Sequence, residues 1–184
     1  RVAVRRPNEA IFVKTYGVVG QVEPILCNIR DDASVEEALN GADAVVNCVG
    51  ILIQDKKNTF EAVQHSGAER IGRLSTKLGV KSLVHISAIG ADENSSSIYS
   101  STKAKGENAI VSNFPNAVIL RPSIVFGQED QFFNRFAKMA TMAPVLPLIG
   151  ADTRFQPVFV DDVAKAAQAA LLGSVPKGIY ELGG

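Results

Sequence analysis

Ser82-Leu-Val-His-Ile86, Tyr99-Ser-Ser-Thr-Lys103-Ala-Lys-Gly-Glu107 and Ala117-Val-Ile-Leu120 follow one another in the chain and read as strand, helix, strand. The outer runs are short, apolar and partly β-branched, the pattern of parallel strands buried on both faces. Parallel neighbours cannot be joined by a tight hairpin, so the middle segment must cross over as a helix. Working outward, the same alternation continues. Val2–Val4, Gln21–Cys27, Ala44–Val49 and Gly178–Leu182 are further strand-like runs. Ser34-Val-Glu-Glu37 has the spacing of a capping box and opens a helix to Leu39, closed by Gly41. Thr59–Leu78 is amphipathic and stops at Gly79, while Ser97–Val111, Asp130–Thr141 and Asp161–Leu172 supply three more helices. This order predicts an α/β fold: a doubly wound parallel sheet in one Rossmann-like domain over 1–184, with ligands at the carboxyl ends of the strands.

Composition narrows the function classes. Of 184 residues, 46% are hydrophobic, and 19 basic side chains balance 19 acidic ones, so the chain can bury a core but has no basic excess suited to nucleic acid. No apolar run approaches a membrane span. Cys27 and Cys48 lie in strand-like runs without metal-ligand spacing and read as buried reduced thiols, and His65 and His85 stand apart from any cluster, so no metal site is expected. His85, inside an apolar strand, reads as a packed core residue.

Residues four apart on a helix share a face, so Tyr99 and Lys103 can point into one cleft. A phenol titrates near pH 10 and a neighbouring ammonium favours its ionised form, so the pair suits proton exchange with a carbonyl or alcohol. A surface Tyr and Lys that merely fall four apart is the plain alternative. At the end of the first strand stand Arg5-Arg6-Pro7, where an acidic residue would suit the ribose hydroxyls of NAD and arginine suits the extra phosphate of NADP. The pair therefore favours NADP(H), against the alternative of two solvated strand-end arginines. Asn28-Ile29 ends the next strand where an adenine could lie, and Val49-Gly50-Ile51 ends the third, with Gly50 allowing close backbone approach or making an ordinary turn. A dinucleotide-binding sheet normally opens with a strand, a glycine-rich turn and a helix, whereas Arg1 falls in what reads as the second strand. Gly17-Val-Val-Gly20 does not replace that turn because no helix start follows it. The expectation is that an N-terminal strand, turn and helix lie outside this sequence.

Five motifs, in order, carry a resemblance: Val84-His-Ile-Ser-Ala-Ile-Gly-Ala91, Leu120-Arg-Pro-Ser-Ile-Val-Phe-Gly127, Pro144-Val-Leu-Pro-Leu-Ile-Gly150, Phe155-Gln-Pro-Val-Phe-Val-Asp-Asp-Val-Ala164 and Tyr180-Glu-Leu-Gly-Gly184. With Tyr99 and Lys103 between them, the chain resembles the extended, atypical short-chain dehydrogenase/reductase superfamily. Within it, the motifs are similar to those of a narrower group, the nucleotide-binding accessory subunit of respiratory complex I (NADH:ubiquinone oxidoreductase), together with free-standing bacterial relatives. The likeness runs from Arg1 to Gly184 and lacks the family's glycine-rich start and its portion beyond Gly184.

The resemblance implies that Tyr99 is the general acid or base and that Lys103 binds the nicotinamide ribose and lowers the Tyr99 pKa. It implies that Arg121, Pro122, Ser123 and Ile124 border the nicotinamide end, and that residues 128–160 contribute to the substrate side. The third member of the usual set is a hydroxyl just after the strand ending at Ile86; Ser87 is the candidate, although many extended members place it slightly later, where this chain has Ala88 and Ile89. Ser95, Ser96 and Ser97 are substitutes, Ser97 reading equally as part of a helix start. If Ser87 serves only as a strand-end donor, the pocket binds a nucleotide without turning a substrate over.

Two roles follow. One is an accessory or assembly subunit of complex I holding NADP(H); the other is a working oxidoreductase, epimerase or dehydratase on a polar, nucleotide-linked substrate. The compartment implied is the bacterial cytoplasm, with peripheral attachment to the inner membrane, or the mitochondrial matrix. Other residues read plainly: Asp161-Asp162 as helix-start charges rather than a metal pair, and Phe132, Phe133, Phe136 and Met139 as a core stripe. Arg154 could face a substrate anion or simply solvent.

Overall fold

A computed structural model of the protein describes residues 1–142 and 152–184. The motif Pro144–Gly150 lies outside the described residues. Strands β1 (Val2–Val4) and β2 (Pro24–Leu26) pair in parallel; helix α1 (Asp32–Leu39) leads to β3 (Ala44–Asn47), and α2 (Ser66–Lys77) to β4 (Ser82–Ile86). Helix α3 (Ile98–Asn113) then leads to β5 (Val118–Pro122). The strands β3, β4 and β5 and the last strand, β8 (Gly178–Leu182), form a four-stranded, wholly parallel sheet in the order β3-β4-β5-β8. Between β5 and β8 lie β6 (Val125–Phe126), α4 (Phe133–Met142), β7 (Val158–Phe159) and α5 (Val160–Leu171), with β6 and β7 pairing in parallel.

Alternation along the central strands explains the layering. Leu83 of β4 and Ile119 of β5 enter one core with Val35, Ile71, Leu74 and Ile110 from α1, α2 and α3. Their neighbours Val84, Val118 and Leu120 enter a second core with Ala167 and Ala170 of α5. Successive side chains of a strand point to opposite faces, so the sheet is covered on both sides, as the apolar runs predict.

The expected single sheet is interrupted. Among the described residues β1 is paired only with β2, and β3 only with β4. Between them lies a cleft of about 1090 Å³, lined by residues 1–6 on one side and 44–51 on the other. Arg1 donates to the carbonyls of Ala38 and Asn40 at the end of α1, so β1 starts beside the point from which the chain enters β3. Val46 and Val49 on its wall are 38% and 37% exposed, although they belong to an apolar strand run.

Local details differ from the sequence reading. The cap of α1 is Asp31, whose carboxylate accepts from the Ser34 amide at 2.8 Å, while Ser34 Oγ accepts from the Asn28 amide at 2.9 Å. Ser34 therefore ties the end of β2 to α1 instead of starting a capping box. The pattern over Thr59–Leu78 divides into a π turn, Glu61–His65, and α2. Pro7–Tyr16 forms 3₁₀ turns for which the sequence offers no apolar period. Asp161 and Asp162 fall in the first turn of α5, where their charge complements the helix dipole. The phenylalanine stripe is not core: α4 buries no residue, and Phe132, Phe133 and Phe136 stack edge to face with each other and with Phe155 and Phe126.

Candidate functional site

The residues singled out in the sequence divide into two adjoining groups. Arg5, Arg6, Asn28, Ile29, Val49, Gly50 and Ile51 all line the cleft between β1 and β3. Arg5 is exposed, with no side-chain hydrogen bond or ion pair among the described residues, whereas Arg6 pairs with Glu9 at 3.0 Å. Asn28 turns its carbonyl oxygen to the Arg30 amide at 3.2 Å. Ile29 is mostly consumed by packing: a Cβ on Gly67 of α2 would lie 2.9 Å from it, and its carbonyl accepts from Arg70 at 2.8 Å. Cys27 is half-buried and Cys48 exposed, because both belong to the cleft walls rather than to the core.

The second group sits at the carboxyl ends of β4 and β5 and on α3. Gly50 joins the two. A Cβ there would lie 3.2 Å from the Lys103 ammonium, so the backbone of the cleft wall passes directly over that charge. Lys103 is 6% exposed and donates to the Ile86 carbonyl at 3.3 Å. Burial pushes its pKa down, with Glu107 the first of the groups that oppose that shift. Tyr99, one turn earlier on α3, packs edge to face on Phe60 with ring centres 5.8 Å apart. Burial holds its phenol above the ordinary range, so it is protonated at neutral pH. This reverses the expected lowering by Lys103, whose ammonium is turned to Ile86 and Gly50 instead.

Ser87 follows β4 but is 5% exposed, and its hydroxyl donates to the Glu107 carboxylate. Glu107, 2% exposed, also accepts from Arg121 Nε at 2.9 Å and Nη2 at 2.7 Å. Arg121 reaches Glu181 of β8 at 3.6 Å as well, and these carboxylates hold its guanidinium firmly charged. The side chains of Ser87 and Arg121 are thus engaged with protein groups, not directed at the cleft. Pro122 ends β5, the Ser123 amide donates to Leu182, and the Ile124 carbonyl accepts from Val158. Ser97 is the N-cap of α3, accepting from the Ser100 amide. Glu107 was missed in the sequence, although Tyr99, Lys103 and Glu107 form an i, i+4, i+8 series on one helix face.

Beneath Gly50 lies a buried polar layer. The Asn47 carbonyl oxygen accepts from the Val49 amide at 3.1 Å, which leaves its NH₂ to donate to His85 Nδ1 at 3.0 Å. His85 is therefore the Nε2–H tautomer, with that N–H unpartnered among the described residues. Burial first, and the Lys103 charge second, hold its pKa at about 3. No group of three or more metal-binding side chains occurs among the described residues.

The family described as the RmlD substrate binding domain matches residues 10–184. The chain belongs to that family. Among curated relatives of this RmlD-family chain, the mitochondrial NADH dehydrogenase [ubiquinone] 1 alpha subcomplex subunit 9 of Arabidopsis thaliana is 35% identical over 176 residues, covering 94% of this chain and 44% of the relative. The mitochondrial NADH-ubiquinone oxidoreductase 40 kDa subunit of Neurospora crassa is 35% identical over 159 residues, covering 86% and 42%. The chain thus spans about half the length of the curated relatives it matches. The dTDP-4-dehydrorhamnose reductase of Bacillus anthracis, solved with NADP, superposes with a TM-score of 0.74 at 17% identity, over 89% of this chain and 65% of that one. The UDP-glucuronic acid 4-epimerase of Bacillus cereus, solved with NAD, superposes with a TM-score of 0.76 at 20% identity, over 94% and 64%. These two likenesses establish the α/β Rossmann-like fold. No helix among the described residues is long and apolar enough to cross a membrane.

Proposed function

We propose that the chain forms most of a nicotinamide-nucleotide site, preferring NADP(H), in an accessory or assembly subunit of complex I with little turnover of its own. The observation that carries this reading is the engagement of Ser87. Its hydroxyl proton is given to a buried carboxylate, so the strand end offers no free donor to polarise a substrate carbonyl. The cleft, meanwhile, offers features that suit part of a dinucleotide: strand carboxyl ends, the Arg5 guanidinium, which has no partner among the described residues, and a glycine backbone over the Lys103 charge.

The nicotinamide ring, when bound, supplies or accepts a hydride. Arg5 and Arg6 would hold the phosphate that distinguishes NADP from NAD; Lys103 would donate to ribose hydroxyls; Asn28, Ile29 and Val49–Ile51 would wall the cleft. Pro122, Ser123 and Ile124 would border the nicotinamide end. The edges of β1 and β3 that are unpaired among the described residues suit one additional strand, which would complete the sheet and close the apolar wall at Val46. The relatives' names favour complex I as partner, and with it the mitochondrial matrix or its bacterial counterpart.

Two results test the reading. Full-length protein should retain NADP(H) through purification, and Arg5→Ala with Arg6→Ala should weaken NADPH about tenfold or more while changing NADH about threefold or less. Retention of NAD(H) alone would overturn the preference. On native gels the protein should comigrate with a large species active as NADH dehydrogenase. Migration as a small free species, with the complex intact, favours the second reading, an active oxidoreductase or epimerase. That alternative rests on Tyr99 being half-buried, protonated and one turn from Lys103. It requires a turnover that Tyr99→Phe abolishes.

A further inference from the structure

The cleft between β1 and β3 is unevenly charged. Arg1, Arg5, Arg6 and Arg30 all line it, and Glu9 brings the only carboxylate among its described lining residues. Three of these guanidiniums are engaged. Arg1 donates to the carbonyls of Ala38 and Asn40, Arg30 donates to that of Lys57 at 3.4 Å, and Arg6 Nη1 lies 3.0 Å from Glu9 Oε1. Arg5 has no side-chain partner among the described residues, so the single carboxylate of the cleft is spent on one of the two arginines at the end of β1. The backbone brings that pair together. The Glu9 amide donates to the Arg6 carbonyl at 3.0 Å and closes a turn that begins at Pro7, so side chains three apart lie on one side of it. Both are open to water, 75% and 67% exposed, and an ion pair so placed is weak. A phosphate carries more charge than a carboxylate and meets a guanidinium in the same forked geometry, so it is the stronger partner for Arg6.

We propose that Glu9 is a specificity-determining residue of this cleft, competing with the adenosine phosphate of NADP(H) for Arg6 and so limiting the preference over NAD(H). The inference rests on the nucleotide-binding reading above and adds to it what restrains that preference. NAD(H) has a ribose hydroxyl in place of the phosphate and makes no demand on Arg6, so the ion pair survives its binding. NADP(H) has to part the pair before it gains the second guanidinium, whereas Arg5 is open to it from the start.

The test is equilibrium binding to the full-length protein at fixed pH and ionic strength. Adenosine 2′,5′-bisphosphate and adenosine 5′-monophosphate, which differ only in the 2′-phosphate, probe the adenosine end; NADPH and NADH probe the whole cleft. In Glu9→Gln the bisphosphate and NADPH should each tighten about fivefold, while the monophosphate and NADH change about twofold or less. In an Arg6→Ala background, Glu9→Gln should alter bisphosphate binding by about twofold or less, because the competition has lost its object. Equal tightening of bisphosphate and monophosphate in Glu9→Gln would reduce Glu9 to a general repulsion of anions. A gain that persists in full without Arg6 would show that the carboxylate does not act through that guanidinium. Either result overturns the proposal. If the parent binds these probes and Glu9→Gln changes none of them, the nucleotide reading stands and the role of Glu9 alone is refuted. If the parent binds none of them, the nucleotide reading fails and the role of Glu9 falls with it.

Discussion

Gly106→Ala is expected to destabilise the protein by about 3 kcal/mol or more, the upper range for overpacking a close-packed interior. On an exposed helix the same change would stabilise by up to about 1 kcal/mol, because alanine is the better helix former. Contact decides the sign here. A Cβ on Gly106 would overlap the backbone carbonyl oxygen of Gln64 and sit 3.4 Å from the Ala68 side chain. The obstacle cannot rotate away, since Gln64 belongs to the π turn and is itself buried, with its side chain donating to the Ile51 carbonyl and accepting from Thr102. Either α3 moves off α2 or the π turn unwinds, and both would shift Lys103 and Glu107, which flank Gly106 on the same helix. Urea denaturation would show the lowered midpoint. A neutral or stabilised variant would mean that the helices approach less closely than this overlap implies.

Mild acid should also weaken the fold. His85 titrates at about 3 in the native state and near 6.5 when unfolded, so between these values the unfolded chain binds more protons. The neutral, buried imidazole therefore contributes stability that is fully present above about pH 6.5 and is lost as pH falls towards 3. From pH 7 to pH 5 the loss should be about 2 kcal/mol. The carboxylates with lowered pKa values, Asp32, Asp43 and Asp130, lose their contributions only below their ordinary value of 3.8 and do not confuse this window. His85→Asn, which keeps an acceptor for Asn47, should flatten the dependence. A slope that persists in that variant would assign the acid sensitivity elsewhere.

Much of this was legible in the residues. Val2–Val4, Ser82–Ile86 and Gly178–Leu182 are strands with the bounds their sequence runs suggest; of the three, Ser82–Ile86 is the buried one, where continuous hydrophobicity is the signal. The π turn at Glu61–His65 was invisible, since one extra residue in a helical pattern barely alters its period. The ladder of β6 and β7 was missed because two residues carry no period at all. At the site, spacing put Tyr99 and Lys103 on one face, but it could not show which way each side chain turned. The direction of Lys103 towards Ile86, and of Ser87 towards Glu107, depends on burial, and burial is a property of the packed whole.

The ladder between Val125–Phe126 and Val158–Phe159 has a wider consequence. Because the two strands are hydrogen-bonded neighbours, the chain positions that bound the intervening segment lie side by side. Loop closure costs grow only slowly with length, so the span between them can lengthen, shorten or change composition with little penalty to the sheet. The scaffold and its excursion are then free to diverge at different rates: one lineage can alter what meets the strand ends while the body beneath stays as it is.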